Sequence, residues 1–357
     1  MSMSFELVPE ELGLRNALFV GAFMGWPDAS MGASGAVRYL VERLGAAPLA
    51  TWDGDEYYDF VELRPVSRVI QSRDRTLIWP QAEFWVVRDV PLRPASEDML
   101  AGAGLMQLGA GGAGGEAGTG GAPAGGRSLI LFLAAEPRLK WRGYGRELAQ
   151  LAKRCGAKQA VFFGSAWADV PHSRPPIITG WATEPRLRTR LEALGVPFSG
   201  YQGPSSMQSA AIEAFRQEEI ACASLFSNGP HYLPVPNANL SYALLRRLAE
   251  LFMLDVDLSA LKEAGEQLAR QANAAMDERP EFRDHVRQLE AQFDQQGEAL
   301  APGEVRREAL RREQEESSGP LNVDPQDVVR ELEDFLRRRN QAQREQDENE
   351  RGETPET

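Results

Sequence analysis

Residues 17–45 read ALFVGAFMGWPDASMGASGAVRYLVERLG, and this stretch decides the fold class. Its first seven residues, ALFVGAF, are a continuous apolar run with the length of a strand that is buried on both faces. GWPDAS then predicts a turn, and MGASGAVRYLVERLG has the apolar spacing of a helix that ends at Gly45. A buried strand that leads directly into a helix is the unit from which parallel α/β sheets are built.

The same alternation continues along the chain as far as residue 253. Short apolar runs predict strands, and the amphipathic segments between them predict helices. The clearest strands are SLILFLAAE (128–136), QAVFFG (159–164), PIITGW (176–181) and ACASLF (221–226). Continuous apolar strands separated by helices predict a mostly parallel sheet covered on both faces, which is a three-layer α/β/α fold.

Changes in composition predict how the whole chain is organised. We expect an α/β/α core at 12–253, interrupted by a flexible insert at 101–126 in which twelve of 26 residues are glycine. The GAGGAG string of this insert is not a dinucleotide motif, because no strand leads into it and no helix follows. Helical periodicity predicts a helical hairpin at 254–296. Beyond it we expect a charged linker, an amphipathic helix and a disordered tail, at 297–320, 321–340 and 341–357.

Charge and apolar content exclude several classes of protein. The 357 residues carry a formal net charge of −13, whereas a nucleic-acid groove needs clustered Lys and Arg. No apolar run approaches the roughly 20 residues that span a membrane, and MSMSFELVPEELG lacks the features of a signal peptide. Cys155 and Cys222 are too few for a disulfide framework and predict free thiols in the core. We therefore expect a cytoplasmic protein that binds neither nucleic acid nor membranes.

Two of the three histidines follow apolar strands, His172 in VPHSRP and His231 in GPHYLP. If these strands are parallel, both imidazoles lie at the carboxyl edge of the sheet, where α/β proteins bind ligands. A triad of Ser165, Asp169 and His172 is too local in sequence for a hydrolase, and a zinc site lacks a third ligand. The sequence therefore favours histidines that bond the loop backbone over histidines that contact a ligand.

Other predicted strand ends also carry polar side chains. Asp28 and Ser30 lie in GWPDASMGASG, which is one residue away from the G-x-S-x-G motif of serine hydrolases. Both are also ordinary capping residues, and a helix cap is the simpler interpretation. Glu136 ends a strand beside two basic residues and an indole. We assign no catalytic residue, metal or cofactor. If a small ligand binds at this edge, six residues are expected to line its site: Trp26, Asp28, Glu136, His172, Arg174 and His231.

Six stretches of the chain resemble, in the same order, the proteasome-assembly-chaperone family, and its bacterial branch in particular. They are NALFVGAFMGWPDASMGAS, DEYYDF, AAEPRLKWRGY, DVPHSRPPIITGWAT, YQGPSSM and NGPHYLPVPNANLSYALLRRLAELFMLDVDLSAL. The resemblance covers about residues 12–296, and VVRELEDFLRRR is similar to the tail of that branch. It implies a three-layer fold similar to that of nucleoside phosphorylases, without their established activity. It also implies a role in proteasome assembly for the eukaryotic and archaeal members.

The same resemblance sets the expected partners. Archaeal members dock on the proteasome through a C-terminal hydrophobic–tyrosine–any-residue tail, whereas this sequence ends in TPET, so we do not expect tail docking. GPSSM also departs from the Gly-Pro-Thr-Gly that is usual in the bacterial branch. We expect a non-enzymatic, homo-oligomeric interaction protein whose partners are other protein subunits, of a proteasome or another complex. Two alternatives stay open: a protein or enzyme for a nucleoside- or carboxylate-type ligand, and a serine hydrolase that uses Ser30.

Overall fold

The computed structural model describes residues 14, 16–70, 74–93, 126–277 and 279–299. Within these ranges the chain forms nine strands and seven α-helices. The strands are β1 (Leu18–Met24), β2 (Ala47–Asp53), β3 (Val66–Ile70), β4 (Asp74–Ile78), β5 (Gln81–Val90), β6 (Arg127–Ala135), β7 (Gln159–Ala168), β8 (Ile178–Ala182) and β9 (Ala221–Pro230). The helices are α1 (Gly32–Arg43), α2 (Trp141–Arg154), α3 (Pro185–Ala193), α4 (Met207–Gln217), α5 (Ala238–Phe252), α6 (Ser259–Asp277) and α7 (Pro280–Ala299).

Seven of the strands form one sheet, in the order β2-β5-β6-β1-β7-β9-β8. The four central strands, β6, β1, β7 and β9, are mutually parallel. The flanking strands β2, β5 and β8 run antiparallel to their neighbours. The central strands are apolar throughout because helices cover both of their faces. The predicted α/β/α fold with a mostly parallel sheet is therefore confirmed.

Alternate residues of β1 belong to two separate cores on the two faces of the sheet. Leu18 and Val20 pack on the face that carries α1 and α5. Phe19 packs on the opposite face, beneath α2 and α4, with its ring centroid 5.0 Å from that of Phe215. This alternation follows from the period of two along a strand. It explains why the first apolar run of the sequence has no polar side.

The helices α6 and α7 follow one another as a helical hairpin. They pack on the carboxyl edge of the sheet through a third apolar cluster, which includes Tyr232 and Leu233 from the loop after β9. Val286 and Leu289 of α7 are buried in this cluster, as their spacing predicts. Leu261 instead packs against the larger core beside α5. The hairpin is therefore anchored at both the core and the sheet edge.

Strands β3 and β4 form a separate two-stranded antiparallel sheet. We call residues 64–79, which contain these two strands, the arm. Every residue of β4 is exposed. Among the described residues no further strand pairs with β3 or β4.

Several predicted segments lie outside the described residues. They are nearly all of the insert at 101–126, most of the linker at 297–320, the helix at 321–340 and the tail at 341–357. These assignments stay predictions. Of the described helices, none is both long enough and apolar enough to cross a bilayer.

Candidate functional site

The three histidines of the chain meet at the carboxyl edge of the sheet. β7 and β9 are parallel and paired along their whole length, so the loops with His172 and His231 leave the sheet side by side. His285 reaches the same place from α7. The three imidazoles surround the ring of Tyr232, with centroid distances of 5.9, 5.7 and 6.2 Å respectively. We call these four residues the histidine cluster.

His172 is held as a neutral imidazole. Its backbone N–H donates to the Tyr232 hydroxyl at 2.8 Å, and its Nδ1 lies 2.9 Å from the same hydroxyl oxygen. Nε2 faces Oδ1 of Asn273 on α6 at 3.1 Å, and because an amide oxygen only accepts, Nε2 of the neutral ring carries the proton and Nδ1 accepts from the Tyr232 hydroxyl. Burial lowers the pKa of His172, which agrees with the neutral form. With both ring nitrogens bonded, the side chain joins the loop after β7 to the loop after β9 and to α6.

His231 is favoured in the protonated form by an acidic neighbour. Its Nδ1 lies 3.0 Å from Oδ1 of Asp169, and this contact raises the pKa of His231 and lowers the pKa of Asp169. The His285 ring lies 6.0 Å from the ring of His231. Burial and the charge on His231 both lower the pKa of His285. The two adjacent imidazoles are therefore shifted in opposite directions.

Polar contacts join the loop after β7 to helix α7. The Nε and Nη2 atoms of Arg174 donate to the two carboxylate oxygens of Asp294, at 2.8 and 2.6 Å. The Ser173 hydroxyl donates to Glu290 one turn earlier on the same helix. A paired guanidinium and carboxylate of this kind fixes orientation as well as distance. The loop thus holds the hairpin on the edge of the sheet by hydrogen bonds in addition to apolar contact.

The turn between β1 and α1 uses its polar side chains for structure. The Asp28 carboxylate accepts hydrogen bonds from two backbone N–H groups in the first turn of α1, both at 3.0 Å, and so caps that helix. Burial raises the pKa of Asp28. Ser30 has a left-handed backbone with φ of 51°. Its hydroxyl donates to the Leu233 carbonyl at 3.1 Å and accepts from the Trp167 indole at 3.2 Å. These bonds tie the turn to the loop after β9.

Glu136 and Trp26 follow the adjacent strands β6 and β1. Oε1 of Glu136 accepts the backbone N–H of Met207 at 2.8 Å, at the first residue of α4. The carboxylate therefore occupies the place at this helix N-terminus that an anionic ligand would favour. Trp26 has no such role, since 64% of its surface is exposed. It projects from the turn that connects β1 to α1.

The structure divides the predicted site residues into separate groups. His172, Arg174 and His231 lie together beyond the ends of β7 and β9. Asp28 and Glu136 each cap a helix, and the two helices lie on opposite faces of the sheet. That these residues line one ligand site stays a prediction.

The arrangement of Ser165, Asp169 and His172 as a triad does not form. The Ser165 hydroxyl donates to the Ala29 carbonyl at 2.7 Å, and Asp169 pairs with His231 instead of His172. In this pair the Asp169 side chain is exposed and the His231 side chain is partly buried. Among the described residues no group of three His, Cys, Asp or Glu side chains is placed to hold a metal ion.

Sequence reasoning missed the residues that the helical hairpin contributes. They are Asn273 on α6 and His285, Glu290 and Asp294 on α7. One signal could have located His285, because it lies four residues before Leu289 and so shares the face that the periodicity predicts to pack. The others carry no such signal, since polar side chains on an amphipathic helix usually face water.

Acidification is expected to change the stability contributions of the three histidines in opposite directions. His172 and His285 have a pKa below the ordinary 6.5, so below that pH the unfolded chain binds protons that the folded chain resists. Their contribution to stability is thus complete above pH 6.5 and is lost as pH falls through their folded values. His231 acts in the opposite sense, because its raised pKa stabilises the fold below pH 6.5. The contributions of His172 and His285 therefore fall in acid, whereas that of His231 is present there.

Urea unfolding at a series of pH values from about 5 to 8 measures this balance. The His172→Gln variant should lose less stability on acidification than the parent chain does. His231→Gln, as the matched control, should lose more. An unchanged slope in both variants contradicts the assignment of opposite pKa shifts.

A model of the PAC2 family matches residues 22–276 of the chain. The crystal structure of a PAC2 family protein from Streptomyces avermitilis has 27% identity and a TM-score of 0.58, covering 72% of this chain and 95% of that one. The crystal structure of a Mycobacterium tuberculosis proteasome-assembly chaperone homologue has 26% identity and a TM-score of 0.60, and the match covers 75% of this chain and 99% of that one. A protein of unknown function from Corynebacterium glutamicum has 19% identity and a TM-score of 0.64. It shares the fold over 84% of this chain and 96% of its own. None of the curated proteins matches.

Proposed function

This chain belongs to the PAC2 family, and on that premise we propose that it is a non-enzymatic interaction protein of the proteasome-assembly-chaperone type, acting as a homo-oligomer. One observation carries the proposal. The polar groups at the carboxyl edge, where an α/β enzyme would bind its substrate, are bonded to helices of the same chain. Asp28 caps α1, Glu136 caps α4, and His172 and Arg174 bond α6 and α7.

The partner class is inferred from a relative. The Mycobacterium tuberculosis protein is described as a proteasome-assembly chaperone homologue, and it matches over three quarters of this chain. We propose that the partners of this chain are likewise protein subunits, its own copies included, in the cytoplasm. The surfaces that face such partners are the outer sides of the helical hairpin and the exposed side chains beside the sheet edge, such as Trp26 and Trp167.

Light scattering of the purified chain, alone and mixed with proteasome α- and β-subunits from the same genome, tests this function. We expect a mass that is a multiple of the 39.4 kDa chain, and a complex with subunits that have not yet assembled into the full particle. A chain that stays monomeric and binds no subunit contradicts the proposal.

The alternative functions make different predictions. A ligand-binding protein would be stabilised by its ligand, so a thermal-shift screen of nucleosides, nucleotides and carboxylates should show a rise in Tm. A serine hydrolase would be labelled by a fluorophosphonate at Ser30, and Ser30→Ala would abolish the labelling. We expect no labelling, because the Ser30 hydroxyl is bonded to Leu233 and Trp167. We also expect no rise in Tm, because the polar groups at the sheet edge are bonded to helices of the same chain.

A further inference from the structure

A buried arginine lies at the amino edge of the sheet, opposite to the edge that carries the histidine cluster. Arg127 is the first residue of β6 and is only 5% exposed. Its Nη2 donates to Oε1 of Gln159, the first residue of β7, at 2.6 Å, and so spans the start of β1 between these strands. Its guanidinium carbon lies 4.8 Å from the centroid of the Phe252 ring at the end of α5. The group is thus held by an amide and a ring, neither of which carries a charge.

The Arg127 guanidinium has no counter-charge in the part of the chain that the structure describes. Its buried Nε has no hydrogen-bond partner there, and no carboxylate pairs with the group. Burial, together with the charge of Arg190, lowers the pKa of Arg127 to about 10, so the group stays protonated at neutral pH. A buried charge without an opposite charge is strongly unfavourable in a folded protein. The fold therefore favours an anion beside Arg127.

A second arginine reaches the same place from α3. Leu187 and Leu191 of that helix are buried in the core that includes Phe252, and Arg190 between them is partly buried. Burial lowers the pKa of Arg190, and no acidic side chain among the described residues offsets this effect. Because the charge of Arg190 also acts on Arg127, the two guanidinium groups lie close together. Two guanidinium groups that approach each other without an acid between them are typical of sites that bind oxyanions.

We propose that Arg127, Arg190 and Gln159 form a binding site for a free tetrahedral oxyanion, phosphate or sulfate. A guanidinium presents its N–H donors in a planar fork that matches two oxygens of such an ion, and the Gln159 amide nitrogen adds a further donor. Two cations also balance the charge of a dianion. The partly exposed side chain of Arg190 provides the route of entry.

The burial of Arg127 limits the size of the ligand. The core almost encloses the guanidinium, so a phosphate attached to a nucleotide or to another protein would have to open the core to reach it. A free inorganic ion carries no such attachment. The site lies on the opposite edge of the sheet from the histidine cluster, and the inference does not rest on the proposed function.

Acidic residues of the chain itself are less suited to this place. Three of them lie between residues 93 and 127: Glu97, Asp98 and Glu116. Each carboxylate brings a single charge for two guanidinium groups. Glu116 also stands in a run of glycines, which lose more conformational freedom on ordering than any other residue. A free dianion supplies both charges and requires no ordering of the chain.

Isothermal titration calorimetry of the full chain with inorganic phosphate, and separately with sulfate, tests the inference at an ionic strength held constant with chloride. We expect one ion to bind per chain. The Arg190→Gln variant keeps the contacts of Arg127 and should bind at least about tenfold more weakly, because it lacks one charge-assisted hydrogen bond to the ion. Arg146→Gln, the matched control, removes an exposed arginine of α2 and should bind as the parent chain does. Adenosine monophosphate should not bind.

Each outcome decides for or against the site. If phosphate or sulfate binds the parent chain and Arg190→Gln alone weakens the binding, with unchanged circular dichroism, the inference is supported. If neither ion binds, if Arg190→Gln binds as tightly as the parent, or if adenosine monophosphate binds equally well, the inference is wrong. A variant with Glu97→Gln, Asp98→Asn and Glu116→Gln tests the remaining source of negative charge. If this variant binds phosphate and the parent does not, the chain supplies its own counter-charge and the inference is again wrong.

Discussion

The Tyr232→Ala variant is expected to lose about 3–5 kcal/mol of unfolding free energy, the range for removing a large buried aromatic ring. Tyr232 is only 3% exposed and lies between the sheet edge and the helical hairpin. Its ring contacts the imidazoles of His172, His231 and His285 and stacks edge-to-face on Phe282 at 5.2 Å. Tyr232 is therefore a residue through which the loops after β7 and β9 contact the helical hairpin, and removing its ring removes these contacts.

The Tyr232→Phe variant separates the hydroxyl from the ring. It retains the aromatic packing but leaves the backbone N–H and Nδ1 of His172 without their partner, which should cost about 1–3 kcal/mol. Urea unfolding measures both variants, and hydrogen exchange reports on α6 and α7 separately. We expect faster exchange in the two helices, and the central strands should change little. Equal stability of Tyr232→Phe and the parent chain would show that the bonds to His172 contribute nothing.

The Gly32→Ala variant is expected to lower the free energy of unfolding by about 1–3 kcal/mol, as overpacking of a core does. Gly32 begins α1 with ordinary helical geometry, at φ of −66°. A Cβ there would lie 2.8 Å from Cβ of Leu240 on α5 and 3.0 Å from Cβ of Ser165 on β7. Neither atom is the end of a flexible side chain, so the backbone of α1 or α5 has to move.

Gly143→Ala on α2 is the matched control. A Cβ at Gly143 would meet only Tyr57, at 3.5 Å from its hydroxyl oxygen, which is ordinary van der Waals contact. Because alanine is the better helix former, this variant should be unchanged or more stable by up to about 1 kcal/mol. Thermal and urea unfolding of the two variants compare them directly. If Gly32→Ala proved as stable as Gly143→Ala, close approach of α1 to α5 and β7 would not be the reason for the glycine.

The fold class could be predicted because a strand that is buried on both faces has apolar residues at consecutive positions. The runs in β1, β6, β7 and β9 are apolar at consecutive positions, a pattern that is typical of strands buried on both faces. The directions of β2, β5 and β8 could not be predicted in the same way. A short apolar run does not indicate which strand it pairs with, or whether the pairing is parallel or antiparallel.

The candidate site was predictable in part. His172 and His231 were placed at one edge of the sheet because each follows a strand of the parallel centre, and the structure brings them together. Their partners were not predictable from local pattern. Tyr232 follows His231 immediately, yet nothing in its neighbourhood shows that its hydroxyl bonds a residue on another loop.

The sequence by itself determined which segments form strands and helices and that the central strands are buried on both faces, because hydrophobic periodicity is a local property of the chain. Only the tertiary structure decided that VPHSRP and GPHYLP meet the third histidine from α7, and that Asp28 and Glu136 cap helices on opposite faces. The physical reason is that such contacts join residues far apart in sequence. They depend on strand register and on how helices dock, which result from many weak contacts acting together and not from any one stretch of residues.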